Sequence, residues 1–186
     1  MAHAIDLHAQ REHRIAWSHH VLLAQLEGVT LQENPGPKFQ TGEHGGEQPP
    51  IATVTGRVGQ TNAGGTARFD MAMLEQLPQR SFVTATPWYA TAHKFTGPLL
   101  RDVLGACGAS GSTLRAIALN DYSVDLPFDD AQRHDVLLAR LLDDKPMAVR
   151  DRGPLFIIYP FDSDAQLRTT VYYSRSAWQL KALEVR

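Results

Sequence analysis

Between Gln32 and Pro49 the chain holds almost nothing apolar; Gly, Pro and polar side chains fill the run. Such a stretch has no face to bury and reads as a linker. It divides the chain into two unlike parts, an N-terminal arm (residues 1–31) and a main domain (residues 50–186), joined by residues 32–49. In the arm, Ile15, Trp17, Val21, Leu22, Leu26 and Val29 recur at several three-to-four spacings between His13 and Leu31. This predicts a short amphipathic helix. That helix has no partner of its own, so it is expected to dock in a groove of the main domain or of another chain. An appended or functionless arm fits the same pattern.

The bulk properties bound the rest. With 43% apolar and 20% charged residues in 186, the chain has a globular composition and enough length for a core. Its formal charge of -2 argues against a nucleic-acid surface or a polybasic membrane contact. No stretch approaches the roughly 18 apolar residues of a spanning helix. Met1 to Asp6 lack a basic segment followed by an apolar one, so no signal peptide is read. A mature exported chain has the same look.

From Ile51 the pattern is denser. Ile51–Val58 alternates like a half-buried strand, and Asn62–Thr66 makes a turn. Asp70 is the expected N-cap of a helix running through Leu74 and Leu77. Ser81–Thr86 reads as a β-branched strand stopped by Pro87. A helix is expected from Pro98, with proline in its first turn and Gly108 as its stop. Further strands are predicted at Thr113–Leu119, Tyr122–Leu126, Leu155–Tyr159 and Gln179–Val185, while Val136–Leu142 suits either strand or helix. The fold class is α+β: a mixed or antiparallel sheet with flanking helices on one side.

Three chemistries receive little support. Leu100, Val103, Leu104 and Cys107 share one helical face, so the single cysteine is expected to be a small buried hydrophobe and not a nucleophile. Of eight histidines, His3, His8, His13, His19 and His20 lie in the arm and His44 in the linker. His93 and His134 have no ligand-spaced neighbour, and no His-Glu-x-x-His occurs, so surface histidines are expected. The Gly105–Gly111 run follows a helix and ends in no Lys-Ser/Thr pair, which fits a helix cap and not a phosphate loop.

Four segments stand out: Thr84–Tyr89, Leu119–Ser123, Ala148–Pro154 and Tyr172–Trp178. Each begins or ends a predicted strand and carries aromatic, Arg, Asn or Asp residues. Singly, each reads as turn chemistry. Together, converging strand ends would form a concave site with stacking faces and hydrogen-bonding edges, which is what a flat polar heterocycle requires. The candidate ligand-binding residues are Thr86, Trp88, Asn120, Asp121, Tyr122, Arg150, Asp151, Tyr173, Arg175 and Trp178.

The order of these stretches resembles the pterin-binding domain of the sulfite-oxidase type of molybdenum enzyme. Thr53–Gly56, Thr84–Trp88, Phe95–Leu104, Ala118–Tyr122, Lys145–Leu155 and Ser176–Val185 carry the resemblance, which covers residues 50–186. Enzymes of that type hold molybdenum through a cysteine near the strand end that here reads Thr84-Ala85-Thr86-Pro87-Trp88. Their Gly-Tyr/Phe-Lys stretch before the last strand is replaced by Tyr173–Trp178. The chain is thus most similar to the small, stand-alone, cysteine-less branch, marked by Thr84 and Thr86-Pro87-Trp88, Asn120-Asp121-Tyr122, and Arg175 with Trp178-Gln179-Leu180.

That resemblance implies a non-catalytic periplasmic protein that binds a free reduced pterin. Its partner would be the periplasmic region of a membrane-bound cyclic-di-GMP synthase or phosphodiesterase. A molybdenum cofactor is not expected. The pterin would stack on Trp88 or Tyr122, with Asp121 or Asp151 at its amino-amidine edge and Arg150 or Arg175 at its carbonyl or tail. The arm would be a partner-derived segment or would occupy the partner's groove. The rival readings are a molybdenum-cofactor oxidoreductase with a non-cysteine site and a purely protein-binding module.

Overall fold

Alternating burial organises the first strand: Ala52 and Val54 of β1 (Ala52–Gly56) are buried while Thr53 and Thr55 are half-buried. The computed structural model describes residues 51–186; the arm helix, the linker and six of the eight histidines lie outside the described residues. β1 runs parallel to β11 (Leu180–Val185) and antiparallel to β2 (Ala67–Phe69), across a turn in which Gly64 and Gly65 adopt positive φ. β11 in turn pairs antiparallel with β5 (Thr113–Ala118), and β5 with β6 (Ser123–Pro127). The result is a five-stranded sheet in the order β2-β1-β11-β5-β6. Where β1 ends on β11, Gly56 has φ +85°, and a Cβ there would lie 2.1 Å from the Val185 carbonyl oxygen. Only glycine fits that close approach.

A second sheet is built from β3 (Gln79–Thr84), β4 (His93–Pro98), β8 (Leu141–Leu142) and β9 (Lys145–Pro146), in that order and all antiparallel. Between the sheets, β7 (Leu137–Ala139) pairs with β10 (Phe156–Ile158), and all six of their residues are fully buried. Each fully buried large apolar side chain there contributes about 1.5–3 kcal/mol. Uninterrupted apolar runs of this kind mark strands covered on both faces.

Four short helices complete the described residues. α1 (Met71–Gln76) begins at Asp70, whose carboxylate accepts from the Met73 amide at 2.8 Å, as expected of the N-cap, and it buries Leu74. α2 (Leu100–Ala106) buries Leu100, Val103 and Leu104, and stops at Gly108 with φ +58°. α3 (Asp130–Arg133) and α4 (Thr170–Arg175) are each little more than a turn. The fold is sheet-rich mixed α/β, with open sheets that are antiparallel except for the β1–β11 pair.

Several expectations are corrected. Pro98 closes β4, opposite Gln79, and does not open a helix; Leu99 is extended and α2 starts at Leu100. A proline is tolerated at a strand end, where its missing N–H costs no ladder bond. β3 ends at Thr84, three residues before Pro87, because the Ala85 amide donates to the Asp162 carboxylate at 2.7 Å and leaves the ladder. Val136–Leu142 divides into β7 and β8. Strand β4 and helix α4 carry residues to which no regular element was assigned from sequence.

Cys107 is fully buried at the end of α2, its thiol directed to the carbonyl oxygens of Val103 and Leu104. Burial pushes its pKa up to about 11, so the nucleophilic thiolate is suppressed. Native protein treated with iodoacetamide at about pH 8 is expected to resist alkylation, and denatured protein to react fully. Rapid labelling of the folded chain, read by intact mass, would contradict this assignment.

Candidate functional site

Three of the four segments singled out from the sequence meet at one cavity of about 520 Å³. The loop after β3 supplies Trp88, the β5–β6 turn supplies Asn120 and Tyr122, and α4 with the residues after it supplies Tyr173 and Trp178. The volume lies within the range of about 300–1,000 Å³ typical of small-molecule sites.

Trp88 is the hub. Its ring lies 5.6 Å from Phe156, 6.3 Å from Phe161, 6.0 Å from Tyr173 and 5.5 Å from Trp178, all tilted or edge-on. These are favoured aromatic geometries. Its backbone is held on both sides: the Thr86 hydroxyl accepts from its N–H at 3.4 Å, and Arg152 donates to its carbonyl at 3.3 Å. Trp178 is brought alongside by a β-bridge to Phe156 and remains 36% exposed; Tyr122 is 58% exposed. One aromatic is therefore anchored in the core, and two stand at the mouth.

The polar groups on the wall are neutral. Asn120 uses its side-chain oxygen to accept from the Tyr122 amide at 3.1 Å, which shapes the turn and leaves its NH2 group without a partner among the described residues. Ser174 donates to the Val171 carbonyl and Ser176 to the Tyr172 carbonyl, so both hydroxyl oxygens keep acceptor capacity. Among the described residues no Asp, Glu, Lys or Arg lines this cavity.

The ten residues chosen from sequence therefore separate. Trp88, Asn120, Tyr122, Tyr173 and Trp178 line the cavity, and Thr86 supports it from behind. The four charged ones do not line it. Asp121 sits at φ +65° and pairs with Lys181. Arg150 is 88% exposed and approaches only the neighbouring Asp151 carboxylate, at 3.5 Å. Arg175 donates to Asp130 at 2.9 Å. Ions that find partners elsewhere avoid the desolvation cost of an enclosed wall.

Sequence reasoning passed over Arg152. Its guanidinium lies 4.6 Å over the Tyr89 ring and 5.8 Å over the Trp178 ring. It thereby ties the Ala148–Pro154 segment to the cavity from outside. Its place depends on a left-handed φ of +71° after the 3-10 turn Val149–Asp151, which nothing local in the sequence announces. Ser174 and Ser176 were also passed over, since they belong to α4 and its C-terminal end.

Two ionisable clusters lie outside the cavity. Asp130 is 6% exposed and accepts on one oxygen from both Arg175 and the Tyr159 hydroxyl, the latter at 2.8 Å. Burial and the adjacent Asp130 charge push the Tyr159 phenol well above its ordinary value. At the surface, His93 Nδ1 is 2.6 Å from an Asp143 oxygen, across 50 positions of sequence. Both Asp143 and Asp144 adopt positive φ in the β8–β9 turn, and the Lys94 amide also donates to Asp143, at 3.0 Å.

The hydrogen bond from His93, then that from Lys94, holds the Asp143 carboxyl below its ordinary value. A depressed folded pKa means the bond stabilises the turn above the unfolded pKa and is lost as pH falls through the folded one. Carboxyl-carbon NMR titration should give an Asp143 midpoint below that of a free aspartate, rising in His93→Ala. An unchanged midpoint in that variant would show the pairing to be idle in solution.

The chain matches no family model and no curated protein.

Proposed function

We propose that this cavity binds a free reduced pterin and that the protein is a periplasmic sensor, reporting the ligand to a membrane-bound cyclic-di-GMP synthase or phosphodiesterase. The observation that carries the reading is the cavity wall: four aromatic side chains with neutral hydrogen-bonding groups and, among the described residues, no charged one. A flat, uncharged, polar ring gains stacking from Trp88, Tyr122, Tyr173 and Trp178 and hydrogen bonds from Asn120, Ser174 and Ser176. The Asn120 NH2 group can donate to a pterin carbonyl, and the serine oxygens can accept from its amino-amidine edge.

The finer fold reading, the sulfite-oxidase type, rests on the order of the matched sequence stretches and belongs to the same proposal. A molybdenum cofactor fits this chain poorly. It carries an anionic phosphate tail, and the described residues of the wall offer no guanidinium or ammonium group to meet it. The strand end where enzymes of that type place a thiolate holds Thr84 and Ala85, and Cys107 is buried in α2.

The partner would contact the surface beside the cavity. Leu119 and Val171 adjoin lining residues and are 44% and 53% exposed, and Val149, 51% exposed, is bonded through its carbonyl to Gln179 beside Trp178. Exposed apolar groups next to a site's lining residues suit a protein interface. A ligand bound there would share that interface and so alter the partner's affinity.

The test is anaerobic titration of the purified chain with tetrahydro- and dihydropterins, followed by quenching of tryptophan emission or by heat. Binding in the micromolar range is expected, roughly 8 kcal/mol. Failure of every reduced pterin to bind would remove the reading.

A further inference from the structure

We propose a second binding site on the opposite character of surface: the free edge of β3, which takes an extended acidic segment of a partner protein as an added strand. It is independent of the pterin reading. Among the described residues β3, six residues long, is the outermost strand of its sheet and pairs with β4 alone. Among the described residues its other edge presents unpaired backbone N–H and C=O groups, a template for a further strand. Val83 stands out from it, 60% exposed.

Beside this edge runs a trough of about 680 Å³, larger than the pterin cavity. Arg80, Ser81 and Phe82 of β3 form part of its wall, and Arg101, Arg133 and His134 another part. The loop after β10 closes one end, where Asp162 accepts from the Ala85 amide and its own amide donates to the Thr84 hydroxyl. The free edge thus extends from Gln79 to Val83, about the length of an average strand.

Charge selects the occupant. Among the described residues the Arg80 side chain has no hydrogen-bond or ion-pair partner. Arg101 is paired with Asp135 at 2.7 Å, and Arg133 with Asp129; these pairs are exposed enough to exchange for an incoming carboxylate. Of the wall's three arginines, Arg101 and Arg133 have carboxylates to exchange and Arg80 is the one left free among the described residues, while Asp164 caps the next 3-10 turn by accepting from the Gln166 amide. An extended segment with acidic side chains at every second position would place them all towards the arginines while its backbone pairs with β3. The cavity at Trp88 has no charged wall residue among the described residues, so the two sites take different chemistry.

The test uses the full chain and three short capped peptides that alternate valine with glutamate, with glutamine and with lysine. The glutamate peptide is expected to bind best, and hydrogen exchange should slow at backbone amides between Gln79 and Val83. Arg80→Glu should weaken that peptide at least about tenfold, and Arg133→Ala less, with circular dichroism unchanged in both. Equal binding of the lysine peptide overturns the charge argument. Binding without new protection in β3, or undiminished in Arg80→Glu, overturns the strand-addition argument.

Discussion

Asp130→Ala should destabilise the domain by about 3–5 kcal/mol, the cost of leaving a largely buried cation without its counter-ion. Arg175 and Tyr159 converge on the same Asp130 oxygen, at 2.9 Å and 2.8 Å, and Asp130 and Arg175 side chains are only 9% and 22% exposed. Removing the carboxylate strips both donors at once. Tyr159→Phe removes only one hydrogen bond to a charged group, about 1.5–3 kcal/mol. Replacing both ions, as in Asp130→Ala with Arg175→Met, should recover part of the loss, because no unpaired charge remains. Urea unfolding of the four proteins measures this order. A single Asp130→Ala loss below about 1 kcal/mol would mean that the pair is solvated and contributes little.

The same pair carries a consequence for the site. Arg175 is the last residue of α4, and α4 with the residues after it supplies much of the cavity wall. Asp130 lies 45 positions earlier, in α3. A buried ion pair that fixes a short helix buys orientation more than stability. Asp130→Ala should therefore weaken ligand binding as well, although Asp130 itself touches no part of the cavity.

Much of the frame was legible because burial leaves a period in the chain. β1, β5, β6, β10 and β11 fall where alternation or an apolar run placed strands, and the α2 face ending in Cys107 is buried as its spacing required. β4 escaped because one of its inward positions is Gly97, which adds no apolar signal. Its smallness is nevertheless required, since a Cβ there would lie 2.2 Å from the Leu138 carbonyl oxygen. α4 escaped because Thr170, Val171, Tyr172 and Tyr173 favour strands by local preference and none is fully buried.

The site divided along a physical line. Aromatic members of the cavity were legible because a large apolar ring near a strand end has few places to go. The charged members were not, because ion pairing is decided by residues far along the chain. Lys181 claims Asp121 across 60 positions, and Asp130 claims Arg175 across 45. A carboxylate at the heterocycle's edge was a reasonable chemical demand, and on this wall neutral serine and asparagine groups stand in its place.

Trp88→Ala should remove ligand binding and much stability together, whereas Trp178→Ala should remove binding at a smaller cost in stability. Trp88 contacts Phe156 and Phe161, both fully buried, so truncation opens a void in the core. The expected cost is about 3 kcal/mol, the lower end for a large aromatic because Trp88 is itself only half-buried. Loss of one stacking face should cost a bound ring about 1–3 kcal/mol more, or roughly fivefold to 150-fold in affinity. Trp88→Phe keeps a ring in the cluster and should retain most of the fold and measurable binding. Trp178 is 36% exposed but packs on Trp88 at 5.5 Å and on Phe156 at 6.0 Å, so its removal should also cost stability, though less than Trp88→Ala, while weakening pterin binding at least about tenfold. Thermal unfolding and pterin titration of the three variants separate the two effects. Wild-type affinity in Trp88→Ala and Trp178→Ala alike would place the ligand somewhere other than this cavity, whatever the wild-type chain is found to bind.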